Sequence, residues 1–280
     1  KVAQIYFDGR QRISAILDFL EGKFKLNNLR ILKQFNGCCF ADLDLKQQGV
    51  IEDFQLLFYI IQPPTPERVK YDIFDRVNRG GTPLNKQEMR NALYRGRCTR
   101  MLDKLCCSPE FLIATGRSIN KERMKDQYVV LRAMAFLMLH RGEFKDIPAL
   151  QYRGDIDDFL ARFMVYVNDN APEKLIVDYE NLFIRCMQIS YDLLGENGFR
   201  FSGNGIRRPI NMPLFEALSY LFSFVPEKID YTWASRLILD IESVKEEFDD
   251  SRYFSGNIDS TTSVSFRFDR MDKIINRIQL

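Results

Sequence analysis

Phe7-Asp8-Gly9-Arg10-Gln11-Arg12 runs directly into Ile13-Ser14-Ala15-Ile16-Leu17, and the way this stretch turns decides the fold expected of the N-terminal part of the chain. Val2, Ala3, Ile5, Tyr6 and Phe7 read as the end of a strand. Gly9 permits a sharp turn and close backbone approach to a ligand. The unpaired N–H groups that open the following helix favour an anion. Arg10 and Arg12 add planar, permanently charged forks suited to phosphate oxygens, and Gln11 can donate or accept. Asp8 is placed to cap the helix, order an arginine or approach a metal. A capped helix with two solvated arginines is the alternative that spacing alone leaves open.

With 280 residues, 28% charged and 46% hydrophobic, the chain has the balance of a soluble globular protein with roughly two domains of ~100–200 residues. No apolar run approaches the ~20 residues that cross a bilayer, so a cytoplasmic protein without membrane contact is expected. Lys1 opens the chain in a strand-like run, which suggests that a longer protein begins upstream. The six cysteines lack C-x-x-C spacing and read as reduced core thiols. His140 is the only histidine and reads as a packed or helix-terminal residue. A lone histidine excludes a histidine-dependent nuclease site and any multi-histidine metal centre within the chain. No metal-ligand set stands out.

Charge is uneven. Residues 1–100 hold 17 Lys/Arg against 11 Asp/Glu, and 68–100 alone hold nine against three. Such an excess suits a polyanion or nucleic acid; a solvated basic face is the competing explanation.

Ile13, Ile16, Leu17 and Leu20 recur at helical spacing after Arg10. Leu29–Phe35, Gly37–Leu43 and Phe54–Ile61 have strand character. Pro63-Pro64-Thr65-Pro66 breaks the chain, a helix carries Val69, Ile73, Phe74 and Val77, and Asn78-Arg79-Gly80-Gly81 ends it. Asn85 then caps a further helix, with Glu88 at the capping-box position. Beyond it the periodicity is helical: 100–105, 123–140, 155–168, 173–194, 211–224, 232–248 and 265–278. Residues 199–209 form a long loop, where Gly203-Asn204-Gly205 beside Arg207 and Arg208 is either a plain connector or a phosphate contact. These patterns predict an α+β protein, with a mixed strand-and-helix domain at 1–107 and a helical domain at 108–280.

Phe7–Ala15 resembles the D-G-Q-Q-R signature of the N-terminal domain family of GmrSD-type restriction systems. Tyr71–Tyr94, including Asp75-Arg76-Val77-Asn78-Arg79-Gly80-Gly81 and Asn85-Lys86-Gln87-Glu88, is similar to that family's second signature. A helical region with Thr115-Gly116 and Arg123-Met124-Lys125-Asp126 follows. The resemblance implies a small ParB/sulfiredoxin-like mixed sheet in the first part, whose Gly-x-x-Arg turn grips nucleotide phosphates. By position, Gly9, Arg10, Gln11, Arg12 and Asn78 would bind a nucleoside triphosphate. Asp8, Gln11 and Arg12 would serve any hydrolysis, with Mg²⁺ as companion ion. Glu88 completes the pocket or a DNA-facing surface, or simply caps its helix. Arg10 stands where the family usually has a glutamine, and the family's upstream Gln-Arg strand is not within the chain.

The function implied is a nucleotide-binding and hydrolysing sensor of a bacterial restriction or phage-defence system, partnered by DNA and by a nuclease domain or subunit elsewhere. A DNA-binding module without hydrolysis and a helical interaction scaffold are the alternatives.

Overall fold

In the computed structural model, residues 10–56 and 84–278 are described, apart from 203–206, 227, 229 and 255, together with Val69 and Ile73. The chain divides into two compact units, Lys1–Pro83 and Leu84–Leu280.

In the first unit, α1 spans Arg10–Leu20 and α2 spans Leu45–Glu52. Phe19 of α1 packs on Phe24 and Phe40 at ring separations of 5.5 and 6.0 Å. Ile16 and Leu17 remain largely exposed. Asp44 caps α2 by accepting from the Gln47 N–H at 2.8 Å, while the Gln47 side chain accepts from the Asp44 N–H. This capping box, Asp44-x-x-Gln47, was a legible start signal for a helix that apolar periodicity alone does not reveal.

The expected α+β class does not hold: among the described residues there is no strand, and a ParB/sulfiredoxin-like mixed sheet is therefore not supported. The reason is local. Residues 29–43 contain a single β-branched residue, Ile31, and it is 93% exposed, so no sheet face is buried there. Asn36 takes both backbone groups of Leu29, its Oδ1 accepting from the N–H at 2.8 Å and its Nδ2 donating to the carbonyl at 3.3 Å. Lys33–Phe35 and Phe40–Asp42 close as 3₁₀ turns. Backbone groups satisfied by side chains and tight turns have no need of a ladder. The strand expected at 2–7 lies outside the described residues, as do residues 57–61 of the one expected at 54–61, whose described part, 54–56, is not strand.

The second unit is a helical bundle: α3 (Lys86–Leu93), α4 (Arg97–Cys106), α5 (Pro109–Ala114), α6 (Lys125–His140), α7 (Ile156–Asp169), α8 (Glu173–Leu194), α9 (Met212–Phe222), α10 (Tyr231–Asp249) and α11 (Thr261–Ile278). The apolar Pro213–Phe222 stretch is buried throughout, and α9 is the bundle's centre, packed against α6, α8 and α11. An all-round buried helix needs neighbours on every side, which α6 supplies through Val129–Met138. α5 packs on α8, with Phe111 meeting Phe183 and Phe215. Helix starts follow local chemistry: Asp155, Asn211 and Asp230 each accept a first-turn N–H, and Pro213 sits near the start of α9.

Gly96, ahead of α4, has a packing reason. A Cβ there would fall 2.5 Å from Asn168 Oδ1, which accepts from the Cys98 N–H at 2.8 Å while Asn168 Nδ2 donates to the Tyr94 carbonyl at 2.9 Å. One asparagine on α7 thereby closes the end of α3 and the start of α4.

The cysteines are free thiols, with Cys98, Cys106 and Cys186 buried and Cys107 exposed. Burial pushes the Cys186 thiol up to about 12, so it is inert at neutral pH. Among the described residues, no helix is long and apolar enough to cross a membrane, and no cluster of three metal-ligating side chains occurs.

Candidate functional site

Asp8, Gly9 and Asn78 lie outside the described residues, as does Gly80-Gly81. Arg10, Gln11 and Arg12 are described in their backbone, and they form the first turn of α1. No acidic residue shares that turn.

The second signature is described from Leu84 onward, and α3 is built on it. Asn85 Oδ1 accepts from the Gln87 and Glu88 N–H groups at 2.8 and 2.9 Å, and Glu88 Oε2 accepts from the Asn85 N–H at 2.6 Å. Both residues also reach across to the turn before α6. Asn85 Nδ2 donates to the Arg123 carbonyl at 2.6 Å, and Arg123 Nη2 lies 3.0 Å from Glu88 Oε2. Arg123 and Met124 both adopt left-handed backbone, at φ 55° and 58°. Two successive non-glycine residues in that region are costly, and the Asn85–Glu88 pair holds them. Hydrogen bonding to Arg123 and to the Asn85 N–H outweighs partial burial and keeps the Glu88 carboxyl below its ordinary range. Glu88 thus caps α3 and clamps Arg123, a role that the spacing of the signature did not disclose.

Of the nine basic residues in 68–100, five are described, and three of these, Lys86, Arg90 and Arg97, are held in ion pairs. Arg90 is fully buried on α3, donating to Asp157 Oδ1 at 2.8 Å and to Gln87 Oε1 at 3.0 Å, with its guanidinium 5.2 Å from the Tyr128 ring. Lys86 reaches the second oxygen of Asp157, and Arg97 pairs with Glu173 at 2.8 Å. Burial raises the Asp157 pKa, but Lys86 and Arg90 overcome that and hold the carboxyl below its usual range. Arg95 and Arg100 stay exposed. Arginines consumed by such pairs supply little to a polyanion.

Next to Arg90, across Tyr128, a second buried charge cluster begins. Arg132 donates through Nη1 to Tyr128 at 3.1 Å, through Nε to Glu216, and through Nη2 to Asp259 at 2.6 Å. Glu216 also accepts from Arg267 at 2.6 Å. Arg123, Asp126 and Arg132, on adjoining turns in the sequence, therefore separate: Arg123 faces α3, and Arg132 enters the interior between α6, α9 and α11.

With this geometry in place, the comparison with known families is specific. Residues 5–95 match the family described as GmrSD restriction endonuclease, N-terminal domain. The segment belongs to that family. No curated protein and no solved structure matches the chain. The GmrSD N-terminal segment takes in most of the first unit and continues through α3, so the Asn85–Glu88 clamp lies within it and its partner Arg123 lies beyond it. Thr115-Gly116 and Arg123–Asp126 also fall outside the matched segment. The match ties residues 5–95, and not the rest of the chain, to a domain of restriction systems.

Sequence reasoning missed the partners Asp157, Asp259 and Glu216. Their acidic type carries no sign of burial, and only the arginines' positions on apolar helix faces hinted that counter-ions would be needed.

Proposed function

We propose that this protein is the nucleotide-responsive sensor of a restriction system, binding a nucleoside triphosphate at the Asp8–Arg12 turn and leaving DNA cleavage to another domain or subunit. The observation that carries this is the match of residues 5–95 to the GmrSD N-terminal domain, a segment in which Arg10, Gln11 and Arg12 lie on α1. Three backbone N–H groups and two arginines at one helix end suit the β- and γ-phosphates. Gln11 would orient water or the sugar–phosphate linkage, and Asn78 would reach the nucleotide from the second signature. Mg²⁺ would accompany the triphosphate as counter-ion, with Asp8 the carboxylate on hand. Phosphoryl transfer asks mainly for positioning and charge neutralisation, which this residue set is equipped to give; Arg10 in place of glutamine favours binding over turnover.

The test is calorimetric titration of the full chain with ATP, GTP and CTP in Mg²⁺, with phosphate release followed in the same samples. Arg12→Ala should weaken binding at this site about tenfold or more, the loss of one charge-assisted contact. Unchanged affinity at this site in a folded Arg12→Ala protein would remove the turn from the mechanism. DNA recognition is the second reading, carried by exposed Arg95 and Arg100; its mark is an affinity that falls steeply with salt.

A further inference from the structure

A cleft of about 700 Å³ opens in the helical unit between the end of α8, the loop that follows it and α10. Its walls include Arg200, Arg207, Arg208 and Lys245 against Glu196 and Glu242, so cations outnumber carboxylates. The volume lies within the ~300–1,000 Å³ of small-molecule sites.

Arg200 anchors the wall. It is 4% exposed and is held by oxygens that bear no charge: Nη2 donates to the Thr115 carbonyl at 3.1 Å and to the Ser118 hydroxyl, Nε to the Glu196 carbonyl at 3.2 Å, and Nη1 to the Arg208 carbonyl. Among the described residues it has no carboxylate partner. Burial, and then the neighbouring Arg207 charge, lower its pKa, against a smaller opposing pull from the Glu196 carboxylate. Lys245, also buried, donates to the Asn197 carbonyl at 3.3 Å and lies 2.8 Å from Glu242.

Arg207 is seated by a glycine. Gly116 has φ +58°, and a Cβ there would stand 1.9 Å from Arg207 Nη2 and 2.7 Å from Glu196 Oε2, so only a bare backbone lets that ion pair lie across it. The Arg207–Glu196 bridge, at 2.7 Å, is about half exposed on both sides. Arg208 lies over the Phe201 ring at 5.4 Å and pairs with Asp249. Exposed bridges of this kind are worth ~0–1 kcal/mol and are readily exchanged. A phosphate can take the place of the Glu196 carboxylate on Arg207 at small cost, while buried Arg200, without a carboxylate partner among the described residues, keeps the floor positive.

We infer that this cleft is a second anion site, one that binds a phosphate-bearing small molecule of nucleotide size through Arg207 and Arg208 above a floor set by Arg200 and Lys245. It goes beyond the nucleotide site proposed at the Asp8–Arg12 turn and stands independently of it.

Titration of the Arg12→Ala chain with inorganic pyrophosphate and with ATP isolates the cleft. Both should bind, with an affinity that falls at least tenfold when Arg207→Gln and Arg208→Gln are added. Glu196→Gln, which removes the competing carboxylate, should tighten pyrophosphate binding about three- to tenfold, a gain that a damaged fold cannot imitate. No binding in the Arg12→Ala background overturns the proposal, as does binding that ignores the double substitution or fails to tighten in Glu196→Gln. ATP binding without pyrophosphate binding overturns it too, because affinity would then reside in the base; so does binding confined to a single-stranded oligonucleotide. Failure of the turn at Asp8–Arg12 would instead show as unchanged binding in Arg12→Ala when the cleft is already disabled.

Discussion

Glu216 accepts from Arg267 at 2.6 Å, and neither side chain reaches solvent. The same carboxylate accepts from Arg132, so one buried anion on α9 ties together α6 and α11. Two arginines and one glutamate leave an excess positive charge, which Asp259 takes up on the far side of Arg132 and the Ile258 carbonyl shares on Arg267 at 2.7 Å. Removing one member of such a cluster strands the others in a low dielectric. Glu216→Gln should therefore cost about 3–5 kcal/mol of unfolding free energy, read from denaturant midpoints. Replacing Arg132, Glu216 and Arg267 together by apolar residues of similar volume should cost much less, since no charge is left behind.

Arg90 poses the same problem at the bundle's edge. Asp157 is its carboxylate, also held by Lys86. Asp157→Asn should destabilise by about 2–4 kcal/mol at neutral pH. Because the folded state lowers the Asp157 pKa, the wild type's advantage is present above the ordinary carboxylate range and is lost as pH falls through it. Stability curves of the two proteins should converge in acid; parallel curves would show that Asp157 acts by shape alone.

Asn85→Ala removes a cap and the bond to the Arg123 carbonyl together. A cap alone is worth about 1 kcal/mol. The expected loss is larger, about 2 kcal/mol, because the left-handed pair Arg123–Met124 loses its tether. Hydrogen exchange should show faster opening at residues 122–126 than elsewhere in the bundle.

His140 ends α6 stacked on Phe268, ring centroids 3.6 Å apart and planes within 9°. Burial, and then the nearby Arg267 charge, lower its pKa from 6.5 to about 3. Below pH 6.5 the unfolded chain protonates this ring while the folded chain does not, so unfolding takes up a proton. Stability should fall with decreasing pH from 6.5 towards 3, by up to ~1.4 kcal/mol per pH unit from this group. His140→Phe retains the aromatic stack and should flatten that part of the profile.

The contrast between what was legible and what was not follows the range of the interactions. Helix starts at Asn85, Asp155, Asn211 and Asp230 could be read because a cap bonds N–H groups two or three residues away. The burial of α6 and α9 follows from their apolar runs. Residues 29–43 were misread as strands because apolar content was weighed above the near absence of β-branched residues and above the capacity of Asn36 to occupy Leu29's backbone groups. For the candidate site, the signatures gave the family and the residue types, while Asp8, Gly9 and Asn78 lie outside the described residues.

By itself, the sequence determined most helices of the second unit, the family of residues 5–95, and a lone histidine in a packed position, since each depends on chemistry among near neighbours or on a motif. Only the tertiary structure decided where the arginines go. Arg132 and Asp259 are 127 positions apart, and Arg90 and Asp157 are 67 apart. Whether a charged side chain faces water, a buried counter-ion or an open cleft depends on which distant helices are packed beside it, and no local pattern encodes that.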